Sequence, residues 1–220
     1  MATNLDLQEQ EQLDELKAFW NRYGNLILSL LTLVLAGFAA FNGWNWWERE
    51  QAAKAAAMFD EMEQAAQASD AEKSALIFND LKERFPRTTF AQQAGLLAAR
   101  VQVDKSLPDA ARKSLEWVAE KAADPSYKAL AQLRLSGLLI DAKAFDEALA
   151  LLAKVDQAEF LALAEDRRGD VLLAQGKKAE AVAAWQKAYA AMEEKQDYRR
   201  IVDAKLTAQA AAPQASGVAK

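Results

Sequence analysis

"FLALAEDRRGDVLLAQGKKAEAVAAWQKAY", residues 160–189, has the pattern of two helices joined by a short turn. The turn is AQGKKA, in which Gly176 can adopt the left-handed backbone that ends a helix. Beyond it, Ala181, Val182, Trp185, Ala188, Tyr189 and Met192 recur at i, i+1, i+4, i+7, i+8 and i+11, which draws one apolar stripe on the second helix. Gly169 of the first helix is expected to face Ala181 of the second, so that two small residues let the helices approach closely. Trp185 is then expected to fill the space against the adjoining pair. A lone helix pair leaves its stripe in water, so several must stack.

Upstream copies exist. "FAQQAGLLAARVQVDKSLPDAARKSLEWV" (90–118) aligns without a gap on "YKALAQLRLSGLLIDAKAFDEALALLAKV" (127–155) at an offset of 37, and the block at 160–189 follows at 33. Ala99, Ser136 and Gly169 share one position, Ala111, Ala148 and Ala181 another, and Leu115, Leu152 and Trp185 a third. A weaker copy covers 56–86, with Met62, Ser74, Phe78 and Pro86 in corresponding places. The last copy resembles the tetratricopeptide repeat, though it lacks that repeat's early tryptophan and closing proline. Tyr198, Ile201, Val202 and Leu206 suggest a helix that caps the open end of the stack. The expected fold is all-α: one N-terminal transmembrane helix, then a tetratricopeptide-like α-hairpin solenoid with a C-terminal capping helix.

Composition agrees with helices. The 220 residues are 52% hydrophobic, much of it alanine, with 8 Gly and 4 Pro. The net charge of −5 argues against a nucleic-acid partner, which needs a basic stripe. No cysteine and no histidine are present, which removes thiol chemistry, the commonest metal ligand and the commonest general base.

The stretch 25–47, NLILSLLTLVLAGFAAFNGWNWW, lies within the charge-free interval between Arg22 and Glu48. A helix of about 22 residues rises roughly 33 Å, enough for a hydrocarbon core near 30 Å. Aromatic residues flank it: Trp20 and Tyr23 before, Trp44, Trp46 and Trp47 after, as in interfacial belts. A cleaved export signal and a buried core helix are the competing readings. The long acidic leader, with Asp6, Glu9, Glu11, Asp14 and Glu15, is unlike a basic signal n-region, and only a weak Gly37-Phe38-Ala39 site is present. The expectation is therefore a retained signal anchor. Lys17 and Arg22 on one side balance Arg49 and Lys54 on the other, so charge decides orientation weakly. The long C-terminal side favours an exported domain. The expected division is a cytoplasmic juxtamembrane helix (1–24), the anchor (25–47), the repeat domain (48–207) and a disordered tail (208–220).

The pre-anchor LQEQEQLDELKAFWNRYG, the NGWNWW exit from the membrane and the segment AEDRRGDVLLAQGKKAEAVAAW together resemble the YfgM-like family of ancillary SecYEG translocon subunits. The resemblance covers nearly the whole chain, to about Tyr189. It implies a single-pass bacterial inner-membrane protein, N-terminus in the cytoplasm and repeat domain in the periplasm. It also implies association with the SecYEG translocon and with a PpiD-like membrane-anchored periplasmic chaperone. The role it implies is passing newly translocated client proteins to periplasmic chaperones. An anchored repeat domain fits a second role equally well, a structural scaffold for cell-envelope or wall-synthesis complexes.

The first helices of such hairpins line the concave side, where ligands usually lie. Mapping inner positions gives a partner-binding groove of Arg100, Val103, Leu133, Ile140, Asp166, Asp170 and Leu173, expected to be mixed apolar and acidic. Arg168-Gly169-Asp170 spells an adhesion tripeptide but falls on a helix, so it reads as structural. Adjacent carboxylates such as Asp14–Glu15 point about 100° apart on a helix and make poor acid–base dyads. No phosphate loop, metal motif or serine-plus-base arrangement is apparent, so neither catalysis nor a cofactor is expected.

Overall fold

The computed structural model describes residues 7–193 and 196–209; most of the expected tail lies outside the described residues. Among the described residues the chain is helical and contains no strand. In order come α1 (Leu7–Gln67), α2 (Ala71–Arg84), α3 (Thr89–Asp104), α4 (Pro108–Lys121), α5 (Pro125–Asp141), α6 (Phe145–Leu152), α7 (Ala158–Ala174), α8 (Lys178–Ala191) and α9 (Arg199–Ala208). The chain divides into two units, 1–51 and 52–220.

The first unit is helical from Leu7. Prolines first occur at Pro86, so nothing in this unit removes a backbone donor from the ladder. The two polar side chains most at odds with an apolar environment bond inward: Thr32 Oγ1 donates to the Leu28 carbonyl at 2.8 Å, and Asn42 Nδ2 to that of Phe38 at 2.8 Å. That is how a spanning helix satisfies polar groups without water.

In the second unit the helices pair as hairpins. The C-terminal part of α1 buries Ala55, Met62 and Ala65 with Ile77, Phe78 and Leu81 of α2 and with Ala91, Ala94 and Ala98 of α3. The next core joins α3 to α7 and holds Leu115, Val118, Leu135, Leu139, Ala148, Leu152 and Val171. A third holds Leu172, Ala181, Trp185, Ala188, Val202 and Leu206 of α7, α8 and α9. Side-chain caps fix the starts of three helices. Asp70 accepts from Lys73 N–H, Thr88 from Ala91 N–H and Asp124 from Ser126 N–H. Pro108 and Pro125 open α4 and α5, where a missing N–H costs nothing.

All four hairpins close with the same turn. Ser69, Ser106, Lys143 and Gly176 have φ of 52°, 59°, 59° and 78°. In each turn the following residue donates its N–H to a carbonyl five residues back: Asp70 to Ala65, Leu107 to Gln102, Ala144 to Leu139, Lys177 to Leu172. This is the Schellman arrangement. The left-handed positions are 37, 37 and 33 residues apart, the last two being the offsets of the sequence alignment. Glycine signals only one of them; at the other three an L-residue is held in a region that usually costs about 1–2 kcal/mol.

Close packing at Gly169 differs from expectation. A Cβ there would meet Trp185, not Ala181: its nearest atoms are Nε1, Cδ1 at 2.5 Å and Cε2 at 2.8 Å. The indole therefore lies across α7 within its own hairpin. Its core cluster also includes Val202 and Leu206 of α9, with Leu149 of α6 packed against it. Gly95 is a second close approach, where a Cβ would meet Val118 Cγ2 and lie 2.9 Å from Phe78 Cε2.

Candidate functional site

Two surfaces carry unusual chemistry, one in each unit. In the first unit Trp20, Tyr23, Trp44, Trp46 and Trp47 are all exposed, as are the leucines between them. Only 6% of the apolar span is buried in protein, which a core helix would not tolerate. Rings pair locally: Phe19 and Tyr23 at 5.1 Å between centroids, Trp44 and Trp47 at 5.4 Å. The helix is long and apolar enough to cross a membrane, and its exposed apolar side chains fit a lipid surrounding.

In the second unit α3, α5 and α7, the first helices of three successive hairpins, wall a cleft of about 560 Å³. Its apolar surface comes from Val103, Leu115, Leu130, Leu133, Leu138 and Leu163. Gly137 opens onto it, with nothing within 4 Å of where its Cβ would be. Of the residues mapped from sequence, Arg100, Val103 and Leu133 line this cleft. Ile140, Asp166, Asp170 and Leu173 do not. The reason is helical phase. On α5 the wall positions are 130, 133, 134, 137, 138 and 141, spaced so as to share a face. Ile140 is a residue short of Asp141, about 100° round, and packs against the central core. On α7 the wall positions are Leu163 and Arg167, four apart. Asp166, Asp170 and Leu173 form the neighbouring stripe, and Leu173 is exposed there.

The two aspartates have a different partner. Asp166 is 0% exposed. Its carboxylate accepts from Lys205 Nζ of α9 at 2.7 and 2.9 Å and from the Tyr198 hydroxyl at 2.8 Å. Its backbone carbonyl accepts from Trp185 Nε1 at 3.1 Å. Asp170 accepts from the same ammonium at 2.7 and 2.9 Å. One lysine thus joins two carboxylates, and the network ties α9 to the last hairpin. Burial lifts the Asp170 carboxyl above its ordinary value of 3.8, against the lowering effect of Lys205. Burial, and then the bond to Asp166, push the Tyr198 phenol up to about 12. The acidic members of the expected mixed groove, Asp166 and Asp170, are therefore bonded into a cap latch; sequence spacing alone could not show that α9 returns to cover this stripe.

The cleft's charge is instead led by arginine. Arg100, Arg134 and Arg167 line it against Asp104 and Asp141. Arg134 donates from Nη1 to the Leu96 carbonyl at 3.3 Å and has no ion pair among the described residues. Burial, and then the nearby Arg100 charge, hold its guanidinium below the usual 12.5. Arg167 pairs with Asp170 at 3.6 Å, and Arg100 reaches Asp104 only at 4.0 Å. Arg134 and Arg167 are 33 residues apart, the offset between the last two repeats, and that periodicity was the signal available in the sequence.

The model of the tetratricopeptide repeat-like domain family matches residues 17–211. An ancillary SecYEG translocon subunit of Neisseria gonorrhoeae is 32% identical over 91% of this chain and 96% of that protein. The protein of the same description in Haemophilus influenzae is 26% identical over 83% of this chain and 89% of its own length. The one in Escherichia coli is 31% identical over 46% of this chain and 48% of its own length. No solved structure matches. An apolar N-terminal span, stacked helical hairpins and end-to-end similarity to the first of these relatives place the chain in the YfgM-like family of ancillary SecYEG translocon subunits, within the tetratricopeptide repeat-like proteins.

Proposed function

We propose that this chain is a membrane-anchored, non-catalytic docking module of the SecYEG translocon. Its inner cleft receives a segment of a partner protein while the apolar span holds it in the bilayer. The observation that carries this reading is the cleft itself: a concave, mostly apolar surface presented by α3, α5 and α7 on a chain whose relatives are named as translocon subunits. Repeat arrays bind through this kind of surface. In the finer reading the N-terminus is cytoplasmic, the hairpin domain periplasmic, and the occupants are a PpiD-like chaperone and newly translocated clients. The groove holds Arg100, Val103 and Leu133 of the mapped set and excludes the latched aspartates.

Gly137 provides the test. Gly137→Trp places a large ring in the cleft where open space is available and adds helix propensity at the same time. Tagged full-length chain, purified in mild detergent, is expected to retain SecY and a membrane-anchored chaperone, and the Gly137→Trp variant to lose at least one of them. Wall synthases in place of SecY, or unchanged partners on blocking the cleft, overturn the reading. Topology is tested by Ser216→Cys in this cysteine-free chain: labelling by an impermeant maleimide from the periplasmic side is expected, and labelling only after lysis refutes it.

A further inference from the structure

We propose that the cleft's occupant is an internal acidic segment of a partner protein, its apolar side chains on the leucine floor and its carboxylates paired to Arg134 and Arg167. The inference rests on the docking reading above and specifies what docks.

The placement of charge supports it. Three arginines, one from each inner helix, face a cleft whose floor is aliphatic. Arg134 carries most of the argument. Its guanidinium meets one backbone carbonyl and has a second cation, Arg100, as its charged neighbour. A cation so placed gains more from an incoming carboxylate than one already neutralised. The two flanking arginines are held only by loose pairs along their own helices, at 3.6 and 4.0 Å, which a better acceptor can displace. Of the cleft's own acids, Asp104 lies one turn from Arg100, at 4.0 Å, and Asp141 is farther from Arg134. Asp104 and Asp141 are the last residues of α3 and α5. Asp141 is seven residues beyond Arg134, about 10 Å along the helix. Arg134 and Arg167 thus face the cleft with no cleft-lining carboxylate paired to them, while Arg100 has Asp104 beside it.

Spacing favours an internal segment over a chain terminus. Neighbouring packed helices are about 8–10 Å apart. A segment in the polyproline II conformation repeats every three residues, about 9 Å, so carboxylates three residues apart share a face and meet Arg134 and Arg167 in turn. A terminal carboxylate would engage one arginine and leave the other.

The experiment uses full-length chain in phosphatidylcholine nanodiscs and fluorescent, N-acetylated, C-amidated peptides with leucine and alanine between every third residue. That third residue is glutamate, glutamine or lysine; a further glutamine peptide keeps its free C-terminal carboxylate. Anisotropy is expected to show the glutamate peptide binding at least about tenfold tighter than its glutamine twin, with the advantage shrinking as salt rises. Arg134→Gln and, separately, Arg167→Gln should erase most of that advantage. Arg112→Gln, on α4 and paired to Glu116 and Glu147, should leave it intact. Thermal melts identify any variant that fails to fold, and the other arginine variant then decides. Equal affinity for glutamate and glutamine peptides, equal effects of Arg134→Gln and Arg112→Gln, or a free-carboxylate glutamine peptide as tight as the glutamate one would each overturn the proposal. If Gly137→Trp still releases partners while the peptides show no charge preference, the arginine reading fails and the docking cleft stands. If Gly137→Trp releases nothing, the docking reading fails by itself.

Discussion

Lys205→Met should loosen the end of the repeat stack. Lys205 Nζ lies 2.7–2.9 Å from four carboxylate oxygens, two of Asp166 and two of Asp170. Methionine keeps most of the aliphatic stem and removes the ammonium, which lies 5.8 Å from the Trp185 ring centroid. Asp166, 0% exposed, would then keep the Tyr198 hydroxyl as its side-chain donor and have no cation bonded to it. Breaking a fully buried pair costs about 3–5 kcal/mol. Lys205 is 24% exposed, so water can partly solvate the stranded carboxylates. The discounted expectation is about 2–4 kcal/mol. The assay is urea unfolding of full-length chain in detergent, with hydrogen exchange to locate the loss. Protection should fall first in α9 and then in α8, because each hairpin leans mainly on its neighbours. Asp166→Asn combined with Lys205→Met should recover part of the cost, giving a coupling of about 1.5–3 kcal/mol. A change below about 0.5 kcal/mol, or exchange that rises uniformly through α2 to α9, would refute the latch.

Trp185→Ala should cost about 3–5 kcal/mol in the same urea titration, since the ring is 2% exposed and covers Gly169; less than about 1 kcal/mol would contradict its place between α7 and α8. Lys143→Gly should stabilise by about 0.5–1 kcal/mol, because φ of 59° strains lysine and suits glycine; a loss of stability would show that the strain is absent. Asp170 gives a pH test. Its folded carboxyl binds the proton more tightly than the ordinary 3.8, so the folded state holds more protons in that window and stability falls as pH rises through it. Wild type measured against Asp170→Asn in urea should therefore lose ground between about pH 4 and the raised pKa, then level off; a gain over that interval would refute the dominance of burial.

The hairpins were legible because their signal is local. Alanine and leucine at helical spacing and Gly176 in its turn act over one or two turns of helix, and the offsets of 37 and 33 repeat that local pattern along the chain. The apolar span was legible for the same reason: its length and lack of charge are properties of contiguous sequence. The left-handed turns at Ser69, Ser106 and Lys143 were not, since no residue type announces them; they follow from two helices of fixed phase having to meet. Mapping inner-helix register from the repeat pattern puts Asp166 and Asp170 in the binding groove. A shift of one residue turns a side chain by about 100° and moves it from cleft wall to cap interface.

Sequence by itself thus determined the helices, their pairing and the membrane-length span, because backbone propensity and apolar period are written along the chain. Tertiary structure alone decided which charges line the cleft. Lys205 lies 39 residues from Asp166, and only the return of α9 onto α7 turns those carboxylates inward while the arginines of α3, α5 and α7 remain on the cleft.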